Sequence, residues 1–73
     1  MKVKVNKKTI KIFSGAKVKD VIRKYSLDEY KKVQNNKKVI KDPAGNIVMP
    51  NGELIGDEEF FIVENKSLKR EGD

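Results

Sequence analysis

The chain has no cysteine, no histidine and only two prolines among its 73 residues. Without cysteine there is no disulfide and no thiolate chemistry. Without histidine the commonest general base and the commonest metal ligand are both missing. No apolar run is long enough to span a bilayer. The opening Met1-Lys2-Val3-Lys4-Val5 alternates and lacks the apolar block of a signal peptide, so a cytoplasmic protein is the expectation. No phosphate loop is present, because Gly45, Gly52 and Gly56 follow no motif spacing. Ser14 and Ser26 have no histidine to activate them. Asp57, Glu58 and Glu59 are consecutive carboxylates ahead of a strand. Alternation sends their side chains to opposite faces, which argues against a metal site.

The chain does have charge, unevenly placed. Residues 1–41 hold 14 of the 17 Lys+Arg and 3 of the 11 Asp+Glu, a net of +11. Residues 42–73 carry a net of −5. Such asymmetry fits a face for nucleic acid or an acidic partner, and it equally fits a solvated surface. At this length the chain is one domain, burying only roughly 60% of its unfolded surface.

The clearest periodic stretch is Gly15 to Tyr25. Val18, Val21, Ile22 and Tyr25 fall at i, i+3, i+4 and i+7, one stripe of an α-helix. Lys17 is its N-cap and has no acceptor to offer, while Asp20 can reach back to the free N–H groups. Ser26-Leu27-Asp28-Glu29 is a capping box that ends the first helix and starts a second, Leu27 to about Val33. Gln34-Asn35-Asn36 stops it.

The other apolar residues sit in strand-like runs. Val3 and Val5 alternate with Lys2 and Lys4; Ile10 and Ile12 alternate with Thr9 and Lys11. Asn6-Lys7-Lys8 makes the turn between them, since Asn tolerates positive φ. Val39-Ile40 and Ile47-Val48-Met49 flank the turn Asp42-Pro43-Ala44-Gly45-Asn46, in which Gly45 can take the left-handed position. Pro50-Asn51-Gly52 turns again. The last strand is Glu59 to Val63. There Phe60 and Ile62 point one way and Phe61 and Val63 the other. One pair must be core, and the other is exposed unless the short helix or the tail covers it.

The order β-β-α-short α-β-β-β, with a closing strand beside the first, resembles the ubiquitin-like β-grasp superfamily. The ThiS/MoaD sulfur-carrier branch and the TGS domains are most similar. The resemblance rests on three segments. The first is the hairpin Val3-Lys4-Val5-Asn6 with Ile10-Lys11-Ile12. The second is Ser14-Gly15-Ala16-Lys17-Val18-Lys19-Asp20-Val21-Ile22, similar to the family's Gly-Ala-Thr-Val-x-Asp-Leu-Leu. The third is Leu54-Ile55-Gly56-Asp57-Glu58 followed by Phe60 to Val63, similar to its Leu-x-x-Gly-Asp-x-Val ending. The resemblance implies an α+β fold, with a mixed sheet of four to five strands packed on one main helix. The domain would cover residues 1–64, leaving 65–73 as a flexible charged tail. Sulfur carriers end in Gly-Gly, whose carboxylate is adenylated and thiolated. This chain ends Lys69-Arg70-Glu71-Gly72-Asp73.

The function expected is therefore a non-catalytic interaction module that docks on a partner protein through its sheet. Its candidate partner-binding residues are Phe60, Ile62, Lys2, Lys4 and Lys11. The alternatives are RNA binding of the TGS kind, carried by the lysines, and a degenerate or processed sulfur carrier. No catalytic residue, cofactor, metal, membrane or small-molecule substrate is assigned.

Overall fold

The structure is a computed structural model that describes residues 1–65. The expected tail lies outside the described residues from position 66 onward. Its first residue, Asn65, donates its backbone N–H to Lys37 O (3.0 Å) and its Nδ2 to Asn36 O (2.9 Å).

The fold is α+β. Strand β1 (Lys2–Val5) and strand β2 (Lys8–Lys11) form an antiparallel hairpin with Val3 opposite Ile10 and Val5 opposite Lys8. Two residues make the turn, Asn6 at φ 50° and Lys7 at φ 70°. Positive φ at both positions is the mark of a type I′ turn, one of the two turn types whose twist matches that of the flanking strands. Asn6 suits its position. Lys7 holds a place that glycine usually takes.

Helix α1 (Val18–Tyr25) follows, then helix α2 (Leu27–Gln34). The first turn of α1 solves its capping problem in two ways. Asp20 Oδ2 accepts the Lys17 N–H at 2.9 Å. The Val18 and Lys19 N–H groups donate to Gly52 O and Pro50 O at 2.9 and 2.8 Å, so a distant turn satisfies the orphan donors. That approach is close: a Cβ on Gly52 would lie 3.2 Å from Met49 O and 3.5 Å from Val18 Cγ2. Between the helices, Ser26 Oγ accepts the Glu29 N–H at 3.2 Å, but the Ser26 N–H donates to Ile22 O and the Glu29 carboxylate goes to Lys38, so only half of the expected capping box forms.

Strand β3 (Lys38–Lys41) pairs with β4 (Ile47–Val48) across the Asp42–Asn46 turn. Strand β5 (Glu59–Glu64) closes the sheet between β1 and β3, parallel to the first and antiparallel to the second. The strand order is β2-β1-β5-β3-β4. Val3, Val5, Ile10, Ile40, Phe60 and Ile62 cover one face of this mixed sheet, and Val18, Val21 and Ile22 of α1 bury them. Ala16 and Leu54 complete the core from the loops. Ile12 follows the end of β2 and is half-buried, although its backbone still pairs with Met1.

Phe60 and Ile62 are thus core residues, 5% and 7% exposed, and the expectation that they form a docking surface is corrected. The reason is register. Phe60 stands opposite Val5, and Ile62 opposite Ile40, both on the helix side. Among the described residues no helix is long and apolar enough to cross a membrane.

Candidate functional site

Alternation along each strand fixes what the uncovered face of the sheet displays. In β1 and β2, burial of Val3, Val5 and Ile10 leaves Lys2, Lys4, Thr9 and Lys11 exposed on the other side. In β5, burial of Phe60 and Ile62 turns Glu59, Phe61 and Val63 outward. In β3 and β4, burial of Ile40 turns Val39 and Lys41 outward, with Ile47 beside Lys41.

Pairing then brings these residues together. Val39 is opposite Val63, and Lys41 is opposite both Phe61 and Ile47. Lys2 is opposite Lys11, and Lys4 is opposite both Thr9 and Glu59. Ile47 is 59% exposed and Val63 37%, while Val39 and Phe61 are half-buried. The outer face is therefore an apolar group of four side chains beside a group of lysines. Of the residues named from sequence, Lys2, Lys4 and Lys11 are gathered on this face; Phe60 and Ile62 lie behind it.

Sequence reasoning did not assign Val39, Lys41 and Ile47 to the face. The signal lies in the turn between β3 and β4. It joins residues 41 and 47, so Val39, Lys41 and Ile47 share one side once Ile40 is known to be buried.

Several polar contacts hold the strands that carry the face. Asn6 accepts the Ile62 N–H on Oδ1 at 3.0 Å and donates from Nδ2 to the Tyr25 hydroxyl at 3.1 Å. It thereby fastens the hairpin turn to β5 and α1. Lys38 Nζ donates to Glu29 Oε1 at 2.7 Å, joining β3 to α2. That hydrogen bond is the main reason the Lys38 ammonium is held above its ordinary pKa, against the opposing effect of burial. Asp42 Oδ1 accepts the N–H groups of Ala44 (3.0 Å) and Asn46 (2.8 Å), and the Asn46 backbone bond is the main reason its carboxyl is held below the usual range. Glu58 accepts from Ile55 N–H and Gly56 N–H at 2.8 and 2.7 Å and braces the loop into β5.

Lys24 Nζ donates to Lys11 O at 2.6 Å, placing a charge at the open edge of β2. Lysine at a sheet edge discourages pairing with another strand. Tyr25 and Tyr30 are half-buried against the core, and the Arg23 guanidinium lies 5.7 Å from the Tyr30 ring centroid. Among the described residues no group of three or more carboxylates could hold a metal ion, and no polar or charged residue is buried. The sulfur-carrier alternative turns on the chain end, which lies outside the described residues.

The chain matches no family model, no curated protein and no solved structure.

Proposed function

We propose that this chain is a non-catalytic protein-interaction module of the ubiquitin-like β-grasp kind, docking through the outer face of its sheet. The β-grasp reading is supported by the strand order β2-β1-β5-β3-β4 with α1 connecting the hairpin to the later strands. The docking reading rests on one observation: the pairing of β5, β3 and β4 gathers Phe61, Val63, Val39 and Ile47 on the side of the sheet away from α1. A half-buried aromatic among aliphatic neighbours, rimmed by charge, has the make-up of an interface anchor. A partner that covers these side chains removes apolar surface from water, worth about 25 cal/mol per Å².

The test compares proteins captured from cell extract by the wild-type chain and by a Phe61→Ser, Val63→Ser variant. Lys31→Ser, on the exposed side of α2, serves as control. Partners lost with the first variant and kept with the control support the reading. The same partners on all three baits would remove it.

RNA binding is the second reading, favoured by the placement of Lys2, Lys4 and Lys11 on one face. Such binding would rest on phosphate contacts and weaken steeply with salt.

A further inference from the structure

The cations of β1 and β2 and the apolar side chains of β5, β3 and β4 occupy separate halves of the outer face, and Lys41 alone stands as a cation within the apolar half among the described residues. Strands β1 and β2 contribute Lys2, Lys4 and Lys11, with Thr9 between. Strands β5, β3 and β4 contribute the apolar four, with Lys41 among them. Glu59 is the one carboxylate that alternation places on this face among the described residues, and it stands beside Lys4 at the seam.

The dimensions of the halves bear on what fits. Adjacent strands are about 4.8 Å apart, so β5, β3 and β4 form an apolar strip about 10 Å wide. That is about the diameter of one α-helix with its side chains. A helix laid on the strip would have one flank over β1 and β2, where Lys2, Lys4 and Lys11 stand. We propose that the face receives an amphipathic α-helix of a partner protein, its apolar side on the strip and its carboxylates along the flank over the lysines. This rests on the reading of the outer face as the docking surface.

Charge excludes the competing occupants. A second copy of the chain would set its lysines either onto the same lysines or onto the apolar strip, and both a like-charge contact and an unpaired ammonium on apolar surface are unfavourable. RNA would satisfy the lysines but set phosphates against Val39, Ile47 and Val63. Among the described strand residues Phe61 is the one aromatic on this face, and it is half-buried; the exposed Phe13 lies beyond the end of β2. An acidic amphipathic helix satisfies both halves at once.

The experiment titrates the full chain, labelled with nitrogen-15, with three probes while amide shifts are followed. The first is a synthetic peptide of about 18 residues, long enough to sustain a helix, with Leu on one face and Glu along the flank. The second replaces every Glu with Gln. The third is an RNA hairpin.

The expected result is that the Glu peptide shifts amides of β1, β2, β3 and β5 and binds at least ~10-fold more tightly than the Gln peptide at low salt. A Lys2→Gln, Lys4→Gln, Lys11→Gln variant should abolish that difference. Equal binding of both peptides on the outer face would overturn the acidic partner and leave sheet docking standing. No shift on the outer face with either peptide would overturn the inference, and the Phe61→Ser, Val63→Ser comparison then decides sheet docking separately. Tighter binding of the RNA, with shifts confined to β1 and β2, would overturn it in favour of nucleic acid.

Discussion

Phe60 and Phe61 are neighbours in the chain and occupy opposite faces of one sheet. Phe60 is sealed against α1 at 5% exposure; Phe61 is half-buried on the side α1 does not cover. Residue type cannot account for the difference. A parallel pairing does, because Val5 stands opposite Phe60 and hands it to the core. The same parity sends Ile62 in with Phe60 and Val63 out with Phe61. A single strand thus supplies the stability of the domain on one side and its candidate interface on the other.

The comparison can be broken at its strongest point first. Truncating Phe60 to Ala should cost about 3–5 kcal/mol, the usual range for a buried aromatic. In a chain this small that is a large part of the total, and urea denaturation should show the variant substantially unfolded. A midpoint unchanged from wild type would place Phe60 outside the core. Val21, fully buried on α1, tests the opposing wall. Val21→Ala should cost about 1–3 kcal/mol by the same cavity mechanism, read from the same denaturation curves.

Phe61→Ala sharpens the contrast from the other side. It loses cross-strand packing with Lys41 but opens no core cavity, so the expected cost is about 1 kcal/mol or less. Its fold should give an amide spectrum close to wild type. A loss as large as that of Phe60→Ala would mean that the outer face is covered.

Much of this was legible in the residues. The helix stripe, the Ser26 N-cap and the strand positions follow from local period and turn chemistry. The faces of β3 and β5 do not. Val39-Ile40 and Phe60 to Val63 are apolar in both phases, so alternation carries no sign there. The phase is set by pairing with β1, across more than fifty residues of chain. Capping of α1 by Pro50 O and Gly52 O is invisible for the same reason. Lys7 in the left-handed region runs against its residue type, and the twist of the hairpin outweighs that preference. Of the expected site, the lysines are on the outer face because their strands alternate cleanly, whereas Phe60 and Ile62 fall in the buried phase.

The smallest effect concerns Asp42, which sits in the turn that brings Ile47 opposite Lys41. Its carboxylate receives the Ala44 and Asn46 N–H groups, with Asn46 Nδ2 at 3.4 Å from Oδ2. Those bonds favour the ionised form, so its pKa is lower folded than unfolded. A group shifted in that direction contributes stability above its unfolded pKa and loses it as pH falls through the folded one. Between neutral pH and the ordinary carboxylate range the contribution should be constant. Below that range the carboxylate protonates, the turn loosens and β4 frays first. Following the amide signals of Ile47 and Val48 down an acid titration checks this. They should broaden while those of β1 and β5 stay sharp. Asp42→Ala should show the weakened β4 signals already at neutral pH, with no further loss assignable to this turn on acidification. Signals of β4 that match wild type in the variant would mean that the pairing of Ile40 with Val48 fixes the strand without help from Asp42, leaving the phase of Ile47 to the sheet itself.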